Sequence, residues 1–139
     1  MRQKMKQHTQ GGFSLIELLV VLVILGLLAG LVLPNVMGRL STAKFKSAKS
    51  AIVVLQAGID SYALDVGQLP DSLEELVEQP GNADFWGGPY IKRQMLKDAW
   101  GNDWIYTRPG EHGVYDLVSL GEDGSPGGEG RASDINGWD

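Results

Sequence analysis

The chain has 139 residues, 43% hydrophobic and 21% charged, with a formal net charge of −5, a length that suits one domain plus an appended segment. It has no cysteine, which excludes a disulfide framework, a Cys-ligated zinc and a thiol nucleophile. Residues 1–12 hold Arg2, Lys4 and Lys6 and no acid, leaving −8 on residues 13–139; an acidic body excludes nucleic acid as a partner, because phosphate contacts need clustered Lys and Arg.

From Phe13 to Leu33 the chain reads FSLIELLVVLVILGLLAGLVL, 21 residues with Glu17 as the one ionisable side chain. At ~1.5 Å rise per residue this helix covers ~30 Å, one hydrocarbon core. The 106 residues that follow are too few to wrap so long an all-round apolar helix, so a membrane is predicted to cover it. Three cations precede the span and the polar bulk follows it. The positive-inside rule therefore predicts a cytoplasmic amino terminus and a C-terminal domain on the far side.

Pro34 is read as a helix break at the end of the span, since it removes an i→i−4 hydrogen bond and crowds the Gly30 carbonyl. In one subunit that is a gentle kink; in a fibre it is a point where the helix can stretch. Gly26 and Gly30 share its face and could permit close helix approach. Helical periodicity resumes at once, with Val36, Leu40, Ala43, Ala48, Ile52, Leu55, Ile59 and Tyr62 falling about one per turn. One helix is thus predicted from about Ser14 to about Leu64, apolar all round in its first half and amphipathic in its second. Arg39, Lys44, Lys46 and Lys49 form a basic stretch beyond the span. A solvated face, lipid phosphates and the acidic domain of a neighbouring copy are all open readings of it.

Asp65-Val66-Gly67 reads as the helix stop. Asp71 or Ser72 is positioned to cap a short helix carrying Leu73, Leu76 and Val77. Residues 81–101 read as loop, with Trp86, Tyr90 and Trp100 as packing anchors. Asp103–Thr107 and Val114–Ser119 alternate as two strands of a hairpin around a Pro109–Gly113 turn. The predicted fold class is α+β, a long N-terminal helix packed on a small antiparallel β-sheet. No regular structure is expected from Gly121 onward, and His112 is read as an ordinary turn residue. No Ser/His/Asp set, phosphate loop or paired-His site appears, so the chain is not expected to be an enzyme.

Gly11-Gly12 precede the apolar run, whereas a secretory signal has its small residues after a shorter core. Cutting after Gly12 would remove only the cationic leader. A lone carboxylate in a membrane helix costs roughly 2.5–3.5 kcal/mol and normally has a partner. The span has no Lys, Arg or His, but cleavage would free the amine of Phe13 one turn from Glu17. That amine, from the same chain or a neighbour, could pair with the carboxylate, and N-methylation would keep its charge. Snorkelling of Glu17 to the interface is the alternative.

Residues 111–139 carry seven acids against Arg131 alone. A solvated tail and a loop ordered by Ca²⁺, which takes six to eight oxygens, are both compatible with that composition. Leu120, Ile135 and Trp138 can anchor the segment at its ends.

Gly11-Gly12-Phe13-Ser14-Leu15-Ile16-Glu17 and the apolar run after it resemble the class III signal of type IV pilins and type II secretion pseudopilins. Further on, Tyr90-Ile91-Lys92, Asp98-Ala99-Trp100-Gly101-Asn102, Pro109-Gly110, His112-Gly113, Tyr115-Asp116 and Ser119-Leu120-Gly121-Glu122-Asp123-Gly124 are similar to the major pseudopilins of type II secretion. Residues 67–76 are shorter than the family's usual loop after the long helix. The resemblance implies cleavage between Gly12 and Phe13 by a prepilin peptidase, N-methylation of Phe13, and subunit docking through Glu17 and the Phe13 amine. It implies a calcium-binding C-terminal loop held by Asp123, Asp134 and the carbonyls of Leu120 and Ser125, with Ser133 standing where some members have another aspartate. It divides the chain into a cleaved leader (1–12), a transmembrane and assembly helix (13–33) and a periplasmic domain (34–139). The implied function is a single-pass inner-membrane protein drawn into a periplasmic homopolymer that moves folded proteins across the outer membrane. Its implied partners are further copies, minor pseudopilins, membrane lipid, and an assembly platform with its ATPase. A type IV pilin for adhesion or motility, or a membrane-anchored calcium module that never polymerises, are the rival readings.

Overall fold

Ser14 opens the long helix: its Oγ accepts the Glu17 backbone N–H at 3.2 Å, the bond an N-cap supplies to a donor without an intrahelical partner. The computed structural model describes residues 11–139, so the leader before Gly11, with His8, lies outside the described residues. Two compact units are present, one ending at Gly38 and the other starting at Arg39. Helix α1 (Leu15–Val66, 52 residues) runs from one into the other. Gly67, at φ +83°, ends it, donating its N–H to the Ala63 carbonyl at 2.9 Å. The predicted boundaries, Ser14 and Leu64, fall within two residues of those found. Pro34, read as a break, lies inside α1, which is not interrupted there. Proline withholds one donor from the ladder, and the hydrogen bonds on either side suffice to continue it.

In the first unit every residue from Leu15 to Pro34 is exposed. In the second unit α1 turns one face inward. Ala48, Ile52, Leu55, Ile59 and Tyr62, spaced alternately four and three apart, are buried against Leu73, Leu76, Ile91, Trp104, Leu117 and Ile135. Gly58 lets the next layer approach, since a Cβ there would stand 2.7 Å from Ile91 Cγ2. The Tyr62 hydroxyl donates to Glu75 Oε2 at 2.6 Å. Burial, then that hydrogen bond and the Glu75 charge, push the Tyr62 hydroxyl up to about 12.

Three strands, β1 (Ile105–Thr107), β2 (Asp116–Ser119) and β3 (Ile135–Asn136), form an antiparallel sheet in that order. The register pairs Tyr106 with Leu117 and Ser119 with Ile135. Both expected strands are shortened: Asp103 bridges to Lys97, and Val114 and Tyr115 belong to the turn. The expected helix after Ser72 is one 3₁₀ turn, Leu73–Leu76, and a second, Arg93–Leu96, interrupts the expected loop. The segment after Gly121 is more ordered than composition suggests. It contains a 3₁₀ turn, Gly130–Ala132, and then β3, whose Ile135 is buried against the core.

Candidate functional site

Two regions hold the residues singled out from sequence. At the start of α1, Phe13 is 79% exposed and Glu17 is exposed in the first helical turn. A carboxylate there faces the positive end of the helix dipole, which offsets part of the cost of placing it among apolar neighbours. Ser14, expected as the helix start but not as its cap, fixes the backbone at this point. The Ser-x-x-Glu spacing of a capping box was legible in Ser14-Leu15-Ile16-Glu17.

The second region is the acidic loop. Gly121, at φ +69°, is buried, and a Cβ on it would stand 2.8 Å from the Ser133 carbonyl oxygen. The two stretches expected to supply calcium ligands, Leu120–Ser125 and Ser133–Asp134, therefore lie against each other. Asp123 Oδ1 accepts the Ser125 N–H at 3.1 Å, and Asp134 Oδ2 accepts the Gly127 N–H at 2.9 Å. The Ser133 hydroxyl donates to the Gly130 carbonyl at 2.7 Å. Among the described residues no group of three or more His, Cys, Asp and Glu side chains converges on one point. Any cation here would depend on two carboxylates and main-chain carbonyls. The donor set fits that demand in one respect: Asp134 Oδ1 is buried without a hydrogen-bond partner.

A buried relay positions the loop entrance. The Gly121 N–H donates to Ser119 Oγ at 3.2 Å, and that hydroxyl donates to Asp98 Oδ2 at 2.7 Å. Asp98 Oδ1 accepts the N–H groups of Trp100 and Asn102 at 3.0 and 2.8 Å. At the next residue the loop reaches α1, where the Ser41 hydroxyl donates to Glu122 Oε2 at 2.5 Å. His112 is more than a turn residue: its ring stacks on Trp138 at 3.8 Å between centroids and lies 3.1 Å from Asp116 Oδ2. Burial pushes the Asp116 carboxyl up, but hydrogen bonds from the His112 ring and from the Glu111 and His112 N–H groups outweigh it and hold the group below its usual value.

Residues 35–138 match the family model described as type II secretion system (T2SS), protein G. The chain belongs to the type II secretion system protein G family. Residues 7–33, which include Gly12, Phe13 and Glu17, match the prokaryotic N-terminal methylation motif. The chain is 44% identical over 139 residues to type II secretion system core protein G of Vibrio cholerae serotype O1, covering 96% of this chain and 94% of that one. It is 46% identical over 136 residues to the core protein G of Escherichia coli K12, covering 93% and 91%. The crystal structure of the major pseudopilin from the type 2 secretion system of enterohaemorrhagic Escherichia coli superposes with a TM-score of 0.59 at 32% identity, over 76% of this chain and 95% of that one. The long helix on a three-stranded antiparallel sheet is thus the pseudopilin arrangement within the protein G family.

Proposed function

We propose that this member of the protein G family is the major pseudopilin of a type II secretion system, a structural subunit that polymerises into a periplasmic pseudopilus for export of folded proteins. One observation supports this above the others. The apolar half of α1, from Leu15 to Leu33, is exposed throughout, as a membrane span requires before assembly and a packed fibre core after it. Cleavage between Gly12 and Phe13 frees an amine that N-methylation leaves charged. Paired with Glu17 of an adjoining copy, that amine neutralises the lone acid and sets the axial offset of the stack. The amino terminus begins on the cytoplasmic side, the domain from Pro34 onward stands in the periplasm, and prepilin peptidase, minor pseudopilins and an ATP-driven inner-membrane platform are the partners. The family match favours secretion over adhesion or motility.

In this reading Asp123, Asp134 and the carbonyls of Leu120 and Ser125 would hold one Ca²⁺. The ion would supply the positive charge that lets two carboxylates share a loop no disulfide closes. The unpartnered Asp134 Oδ1 supports the assignment. The mass of the mature N-terminus, expected to begin at an N-methylated Phe13, tests processing. Glu17→Ala tests assembly and should abolish both fibre and secretion. A mature chain still starting at Met1, or normal fibres from the Ala variant, would sink the reading.

A further inference from the structure

Arg39, Lys44, Lys46 and Lys49 occupy the first turns of the second unit, and no acid lies between Glu17 and Asp60. Residues 60–139 carry sixteen acids against five bases, a net charge of −11. The chain therefore separates a purely basic collar from a strongly acidic head. Arg39, Lys46 and Lys49 are exposed and Lys44 is half-buried. Among the described residues none of the four pairs with a carboxylate; Lys49 Nζ instead stands 5.7 Å from the Phe45 ring centroid. Three of the five head Lys and Arg residues behave differently, with Arg93, Lys97 and Arg108 bridged to Glu78, Asp103 and Asp71.

A merely solvated helix face would be served by mixed charges. Instead Lys46 and Lys49, three apart, repel by roughly 0.2–0.5 kcal/mol. The collar also opposes topology, because it sets four cations just beyond the span against three in the leader. Lipid headgroups explain it poorly. Lys46 and Lys49 lie thirteen and sixteen residues past Leu33, about 20–24 Å of helix, whereas the headgroup layer is only about 5–8 Å thick on each side.

We propose that the collar is a docking surface for the acidic head of a second copy of this chain, a contact that resists axial slippage between packed helices. The proposal rests on the fibre reading above. Glu74, Asp84 and Glu111 are among the exposed head carboxylates that no salt bridge engages in the described residues, and they are the candidate counter-charges.

The test uses the full chain in cells bearing the remaining secretion components. Lys44, Lys46 and Lys49 are changed together to Gln and, separately, together to Arg. The Gln variant should enter the membrane normally yet lose fibre yield by roughly tenfold or more, with the Arg variant restored, because charge and not the Lys stem is what the head recognises. Since the chain lacks cysteine, Lys46→Cys in one tagged copy and Glu74→Cys, Asp84→Cys or Glu111→Cys in another report contact directly. A mixed disulfide at one or more of these acids is expected. Wild-type fibre yield from the Gln variant overturns the docking role and leaves the fibre reading standing. Failed membrane insertion assigns the cations to lipid instead, failed rescue by Arg assigns the loss to packing, and fibres without any mixed disulfide assign the collar to another partner. Polymerisation of Glu17→Ala would defeat the fibre reading itself, and this proposal with it.

Discussion

Replacing Asp98 with Ala removes the acceptor from three donors at once. Asp98 is 8% exposed, and its partner Ser119 is fully buried, so water replaces little of what is lost. A hydrogen bond to a charged group is worth about 1.5–3 kcal/mol. Counting that in full for the Ser119 hydroxyl and at half for the Trp100 and Asn102 N–H groups gives roughly 3–6 kcal/mol. Domain stabilities run about 5–15 kcal/mol, so much of the margin disappears. In Asp98→Asn the amide oxygen can still take both N–H groups, while its NH₂ meets the Ser119 hydroxyl; a smaller loss, roughly 1–2 kcal/mol, is expected. Urea unfolding of the detergent-solubilised chain, followed by tryptophan fluorescence, reads the effect, since all four tryptophans lie between residues 86 and 138. An Ala variant within about 1 kcal/mol of the parent, or no weaker than the Asn variant, would refute this account of the relay.

Gly110→Ala should destabilise the domain by more than about 1 kcal/mol, because a Cβ there would stand 2.6 Å from the Tyr115 carbonyl carbon and 2.8 Å from the Asp116 nitrogen; the urea midpoint checks it. Asp116, its carboxyl held low in the folded state, contributes stability that is complete above the unfolded value of about 4 and is lost as pH falls through the lower folded value. Asp116→Asn should therefore flatten the acid limb of a stability-against-pH profile, read as the urea midpoint at each pH. If the calcium assignment is right, saturating Ca²⁺ at a hundred times its dissociation constant should add about 2.7 kcal/mol to the parent and little to Asp134→Ala, with chelation reversing the gain. Equal protease resistance with and without chelator would remove the ion from the account.

Most of α1 was legible because its buried positions repeat every three or four residues over several turns, and its apolar half admits few alternatives. The hairpin was legible from alternation, although each strand is two residues shorter than the alternation suggests, because Asp103-Trp104 and Val114-Tyr115 leave the ladder. β3 escaped because two residues cannot show a period, and composition in a glycine-rich segment speaks for disorder even where Ile135 is buried. The Asp98–Ser119–Gly121 relay depends on a bond between residues 21 apart, made through tertiary packing, so no local signal announced it. Ser14 is the opposite case: its cap spacing was present and overshadowed by the charge beside it.

The Ser41–Glu122 and Gln56–Gly137 hydrogen bonds each join residues 81 positions apart, and β2, the middle strand, is flanked by a partner that arrives later in the chain. Such distant closures carry a large entropic cost before any contact rewards them. The amphipathic half of α1, though synthesised early, must therefore wait as a naked stripe until the last sheet residues have been made, leaving a window in which a holdase or a protease can claim the nascent head.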